Sequence, residues 1–194
     1  PEFTMLELYQ AYADFNDMME ITETLYSEAA LAVKGSLKVT YLGHEIDLTP
    51  PWTRLKMTDA IKEYAGIDVF EKSDEELLKL IREKDEDFDE DTPRGLLINE
   101  LFEQRVEDKL IGPVFITHHP RETIPLCKDA PDMPGFIERF EPYIAGSEIG
   151  NAYSEMNDPV RQRELLEEQA ANRDIDGEIP PVDEDFLKAI ETGM

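Results

Sequence analysis

The chain has 194 residues, 41% hydrophobic and 9% aromatic, which is enough apolar side chain for one folded domain and excludes a disordered or collagen-like polymer. Its 45 Asp and Glu against 19 Lys and Arg leave a formal net charge of -26, a field that repels phosphate, so composition does not point to nucleic acid. The single cysteine, Cys127, excludes an internal disulfide, and no apolar run approaches the ~20 residues that span a bilayer, so a reducing cytoplasm is expected. No basic-then-apolar leader opens the chain and its first residue is Pro1, so a start further upstream is expected. The acidic balance reads as solubilising surface of the kind that counterions screen in a salt-adapted organism, and an acidic pocket would suit a small cation.

Along the chain, residues 2–12 alternate, with Phe3, Met5, Glu7 and Tyr9 on one face and Thr4, Leu6, Leu8 and Gln10 on the other. Both faces are largely apolar, which reads as a central strand, and a carboxylate such as Glu7 within it demands a partner or a ligand. A helix is expected from Asp17, with Glu20 completing a capping box, through Met18, Ile21, Leu25 and Ala29 to a stop at Gly35. Residues 37–41 and 44–48 flank Leu42-Gly43 as a hairpin ending at Pro50-Pro51, and a short helix over residues 58–64 stops at Gly66. From 67 to 112 the pattern is helical: Ser73 with Glu76 forms a capping box, and Thr92-Pro93 opens a second helix carrying Leu97, Leu101 and Phe102. This stretch reads as a helical insertion within a single domain over residues 1–194.

Between those helices, Asp85, Asp87 and Asp89 alternate like calcium-loop ligands, but Glu90 stands where such a loop needs glycine and Leu96 where it needs glutamate, so a solvated loop is the reading. Strands are expected over residues 113–117, 137–145 and 148–156, the last two joined by a tight turn at Gly146-Ser147. Asp158-Pro159 opens a charged helix to about Arg173, and a last helix covers residues 183–191 before Gly193 and Met194. Strands, helices, strands and helices in succession argue for an α+β fold, an antiparallel sheet flanked by helices.

Residues 137–156 carry the most chemistry, because strands built only for packing rarely hold Glu141, Glu148, Asn151 and Glu155 among Phe140, Tyr143, Ile144, Ile149 and Tyr153. Glu141 and Glu148 flank the turn where they can approach each other, and paired carboxylates suit a magnesium ion that holds a nucleotide's phosphates. Asn151, Tyr153 and Glu155 share a strand face, whereas Glu148 is out of phase with them, so a bulge near Gly150 would be needed to bring all four together. The competing reading is a hairpin with an exposed polar face. His44, His118 and His119 are scattered and Cys127 has no ligand spacing, so neither zinc nor a cysteine nucleophile is indicated.

The opening run Pro1-Glu2-Phe3-Thr4-Met5-Leu6-Glu7-Leu8-Tyr9-Gln10-Ala11-Tyr12-Ala13-Asp14-Phe15 resembles the second half of motif 2 in class II lysyl-tRNA synthetases. Glu45-Ile46-Asp47-Leu48-Thr49-Pro50-Pro51-Trp52, Gly112-Pro113-Val114-Phe115-Ile116-Thr117 and Glu138-Arg139-Phe140-Glu141 are similar to later stretches of that family. The most specific match is Glu148-Ile149-Gly150-Asn151-Ala152-Tyr153-Ser154-Glu155-Met156-Asn157-Asp158, with Ser147 departing from the basic residue common before that glutamate. The resemblance spans nearly the whole chain, the acidic stretch around Asp85 being its least family-like part.

The resemblance implies an incomplete class II synthetase core whose parent is an ATP-dependent ligase joining lysine first to AMP and then to tRNA. It implies that Glu7, Tyr9, Asn151 and Glu155 bind lysine, that Phe3 stacks on adenine and Ile149 lies with it at the ATP, and that Glu141 and Glu148 hold Mg2+ and ATP. It further implies a homodimeric parent, with motif 1 and the motif 2 arginine expected before Pro1 and motif 3 with its arginine after Met194. A chain without those arginines would lack most of the charge that stabilises the reacting phosphate and is expected to be inactive alone. Two other readings are a shortened relative that lysylates a protein or serves as an interaction module, and an unrelated acidic cation-binding protein.

Overall fold

The computed structural model describes residues 2–172 and 182–193. Helix α1 (Phe15–Lys34) has its N-cap three residues earlier than expected, at Asp14 and not Asp17: the Asp14 carboxylate accepts from the backbone of Asn16 and Asp17 while Asp17 caps back. Gly35 ends it in the left-handed conformation, φ 68°. The hairpin β1 (Lys38–Tyr41) and β2 (His44–Asp47) forms as expected, with Leu42 and Gly43 both at positive φ in a two-residue turn.

A strand absent from the sequence reading follows: β3 (Thr53–Lys56), leading directly into α2 (Met57–Ala65) with Gly66 as its left-handed stop. The helical stretch resolves into α3 (Asp74–Arg82), capped by the reciprocal Ser73–Glu76 box, and α4 (Arg94–Arg105) behind Pro93. Then come β4 (Val114–Pro120), β5 (Phe136–Ile144), the short β6 (Ser147–Glu148) and β7 (Ala152–Tyr153), α5 (Pro159–Asn172) and α6 (Glu184–Thr192). The expected end of α5 at Arg173 and the last residue, Met194, lie outside the described residues.

The α+β class holds, but the larger sheet is mixed. Its order is β3-β4-β5-β6 with β7 also on β5, and β3 runs parallel to β4, Thr53 facing Val114, while the other pairs are antiparallel. The parallel pair escapes a sequence reading because its register is set across α2, α3 and α4, which form the crossover. Residues 2–12 do not form the expected central strand. They join no ladder among the described residues, and Phe3 and Tyr9 are 75% and 80% exposed. Alternation makes a segment competent for a sheet, but a strand exists only where a neighbour supplies hydrogen-bond partners.

Two cores pack against the sheet. On one side α1 lays Phe15 and Met19 against Trp52, Phe115, Phe140 and Ile144. Trp52 stacks on Phe115, and its backbone N–H donates to the buried Glu23 carboxylate at 2.8 Å. On the other side α2, α3 and α4 bury Ile61, Leu77, Ile81, Leu101 and Phe102 against Val114, Ile116 and Tyr143. The stretch expected as an insertion therefore shares its core with the sheet. Among the described residues no helix is long and apolar enough to cross a membrane.

The turn between β5 and β6 is Ala145-Gly146, not Gly146-Ser147, since Ile144 pairs with Ser147. Both turn residues have positive φ, and their N–H groups donate to the carbonyls of Ile111 and Leu110, pinning the turn to the chain entering β4. A Cβ on Gly146 would lie 3.2 Å from the Asp108 backbone, whereas one on Gly35 would meet nothing within 4 Å. Gly35→Ala is expected to cost about 1–2 kcal/mol for the left-handed backbone alone, and Gly146→Ala measurably more; equal shifts of the urea midpoint in the two variants would show that the Asp108 contact is relaxed at no cost.

Candidate functional site

Strand β5 places Arg139, Glu141 and Tyr143 on one face by simple alternation, opposite the α1 side that takes Phe140 and Ile144. With Glu148 these side chains form one wall of a cavity of about 490 Å³. The facing wall comes from α4 and the turn after it: Asn99, Phe102, Glu103 and Glu107. Glu141 and Glu148, singled out from the sequence, thus open onto one space.

The bulge that one-sidedness required is present. Tyr143 pairs with Glu148, but Phe140 pairs with Ala152 and Arg139 with Tyr153, so two residues of β5 are opposed by Ile149, Gly150 and Asn151. An unbulged ladder would put Asn151 opposite Phe140, on the α1 side. The extra residue instead turns Tyr153 to the face of Arg139 and keeps Asn151 out of the α1 side. Pro142 lies in the bulged stretch, and having no N–H it leaves no β5 donor orphaned there, while its carbonyl accepts from Ile149 N at 2.9 Å. The Ile149 carbonyl in turn accepts from the Tyr26 hydroxyl, so both main-chain groups of Ile149 are engaged.

Glu141 is buried, and each of its oxygens has its own donor: Arg139 Nη2 at 2.5 Å from Oε1 and the Tyr143 hydroxyl at 2.9 Å from Oε2. His119 lies beneath, Nε2 3.9 Å from Glu141 and 3.2 Å from the Ile116 carbonyl. Burial holds the His119 pKa down to about 4, so at neutral pH the imidazole contributes no charge against that carboxylate. Tyr143 is pushed above the usual phenol range by burial and then by the charge of Glu141.

The other carboxylates feel the same crowding. Glu148 is raised by burial and then by Glu141, Glu107 by burial and then by Glu103 and Glu141, and Glu103 by burial, with Asn99 pulling it back. Further along the sheet face, burial alone raises Glu155, whose backbone bridges to Cys127. Tyr153 is raised by burial and then by Glu155, while Tyr9 is largely exposed. Glu7 and Phe3 stand exposed on the same N-terminal segment.

Sequence reasoning missed Glu103, Glu107, Arg139 and Tyr143 as members of the site. A signal existed for each: Asn99, Glu103 and Glu107 recur every four residues, one helical stripe, and Arg139, Glu141 and Tyr143 alternate on one strand. Nothing local reveals that the stripe and the strand face each other. Among the described residues no three His, Cys, Asp or Glu side chains form a group able to hold a metal ion by themselves. Two carboxylates on one cavity do fit magnesium, which keeps several waters and takes its remaining ligands from phosphate.

The whole chain, residues 1–194, matches the family model described as tRNA synthetases class II (D, K and N). Over its full length it is 51% identical to a protein of Clostridium perfringens named lysine--tRNA ligase, of which it covers 40%. It is 48% identical to the protein of that name from Clostridium acetobutylicum and 46% identical to the one from Staphylococcus aureus, covering 39% and 40% of them. The chain therefore spans about 40% of the length of these curated relatives. A family match over every residue, on a mixed sheet whose acidic motif lines one cavity, places this chain in the class II tRNA synthetases of the D, K and N group.

Proposed function

We infer that this chain is the part of a lysine–tRNA ligase that binds lysine and the magnesium-bound phosphates of ATP. The observation that carries this is the bulge at residues 149–151, which gathers Glu141, Glu148, Asn151 and Tyr153 on one side of the sheet. The names of the relatives quoted above point the same way. In this reading Glu155, with Glu7, Tyr9 and Asn151, recognises lysine: carboxylates and a phenol hydroxyl satisfy an ammonium group whose burial would otherwise be costly. Phe3 and Ile149 lie at the adenine end of ATP, and Glu141 and Glu148 hold Mg2+. Bound there, Mg2+ supplies the positive charge that offsets the phosphates in a cavity lined by Glu103, Glu107, Glu141 and Glu148.

The reaction assigned to the parent is attack of the lysine carboxylate on the α-phosphorus of ATP, with pyrophosphate leaving, followed by transfer of lysine from the adenylate to tRNA. The chain's own residues hold the lysine ammonium, fix the phosphate side of ATP and exclude water from between them. The larger protein would act in the cytoplasm as a homodimer and take tRNA as its second substrate, and residues 67–112 would be a helical insertion that brings Glu103 and Glu107 over the cavity. The shortened-relative reading has no observation in its favour.

Two outcomes test this. Among the described residues lining the cavity, Arg139 is the one cation, and Glu141 already holds it, which leaves none for the reacting phosphate. A polypeptide of residues 1–194 is therefore expected to show no lysine-dependent exchange of pyrophosphate into ATP above a blank, and clear exchange would refute that charge argument. In the full-length protein, Glu155→Gln keeps the side-chain shape but removes the charge facing the ammonium. A loss of roughly 2 kcal/mol or more, about thirtyfold in the apparent KM for lysine, is expected while the KM for ATP moves little. A lysine KM within about twofold of the parent would remove Glu155 from the specificity pocket.

A further inference from the structure

Glu141 is the carboxylate that the fold treats differently from its neighbours. It is buried on β5, and Glu103, Glu107 and Glu148 share its cavity, so its negative charge sits among three others. The arrangement of donors around it does not resemble a general solvation shell. One oxygen takes the Arg139 guanidinium, two residues back on the same strand face, and the other takes the Tyr143 hydroxyl, two residues ahead. Arg139 is itself braced: its Nη1 reaches Thr123 Oγ1 at 3.4 Å, and that hydroxyl donates to the Pro120 carbonyl at 2.7 Å. Glu148, by contrast, lies on the two-residue strand β6 and is exposed.

We propose that Arg139 and Tyr143 are positioning residues that hold the Glu141 carboxylate in one orientation as the preset cation ligand, leaving Glu148 as the adjustable one. Arg139 is the decisive member, because no other cation lines this cavity among the described residues. Without the guanidinium nothing on the wall offsets the repulsion from Glu103, Glu107 and Glu148, and the freed side chain turns away from them. Tyr143 adds a neutral constraint on the second oxygen. The proposal rests on Glu141 being a ligand in the proposed function, and the test separates the two.

The test uses Mn2+ as the probe, bound to the full-length protein in the presence of ATP and read by electron paramagnetic resonance, with thermal melting as a check on folding. Arg139→Gln is expected to weaken Mn2+ binding about tenfold and Tyr143→Phe about threefold. Neither substitution should change affinity in a Glu141→Gln background, since both act through that carboxylate. If Arg139→Gln does not fold, Tyr143→Phe, which removes one hydroxyl and no charge, carries the test alone. Glu141→Gln weakening Mn2+ binding while both other variants stay within twofold of the parent would overturn the positioning role. Equal losses with and without Glu141 would overturn it too. Unchanged Mn2+ binding in Glu141→Gln would overturn the ligand assignment and this proposal together.

Discussion

The site depends on a register error that the fold keeps. Between Tyr143 and Phe140 the partner strand runs one residue long, and because side chains alternate with a period of two, that single residue decides which of its polar groups face the acidic cavity and which face α1. Asn151 in the other phase would lie against Phe140, where an amide has no partner. The bulge is cheap here for a covalent reason. Pro142 offers no N–H, so the lapse in pairing removes no donor from β5, and the one carbonyl at issue is satisfied by Ile149. The turn Ala145-Gly146, tied to the carbonyls of Leu110 and Ile111, fixes the other end of the slip.

Around that strand the protein concentrates charge that solvent elsewhere dilutes. Surface carboxylates contribute little individually, but at an effective dielectric of about 20 two like charges 4 Å apart repel by roughly 4 kcal/mol, comparable with a domain's net stability. The cavity lowers this cost in two ways seen in the structure. A single arginine is fixed against the most buried carboxylate, and the nearby histidine stays neutral. What remains is a wall whose net negative charge favours a divalent ion, which is the opposite of what bare phosphate would seek. The chain's overall charge of -26 and the cavity's chemistry are thus separate facts: the first concerns solubility, the second a local demand for a cation.

The two faces of the sheet divide the work. On the α1 side, Phe15, Trp52, Phe115 and Phe140 form a dry aromatic layer, and its one buried carboxylate, Glu23, accepts from the Trp52 backbone and lies 3.8 Å from Arg54. On the other side, α4 delivers apolar side chains to the core and Glu103 to the cavity, and the turn after it adds Glu107, so the same stretch seals one region and charges the next. The N-terminal segment carrying Phe3, Glu7 and Tyr9 is the exception. Its large apolar side chains are exposed.

What the sequence by itself determined was whatever a few neighbouring residues can enforce. The Ser73–Glu76 box, the left-handed stops at Gly35 and Gly66 and the hairpin around Leu42-Gly43 all close within about five residues, and each stands as read. The family motif also singled out Glu141, Glu148, Asn151 and Glu155 by their order, though order does not say which face each occupies. The tertiary structure decided the rest, because the information lies in pairings between distant residues. Thr53 joins Val114 across three helices to make the parallel strand that alternation could not announce. Glu103 and Glu107 meet Glu141 only because α4 packs over β5. Residues 2–12 show the converse: their pattern is that of a strand, yet with no neighbour to complete the hydrogen bonds among the described residues the pattern alone does not make one.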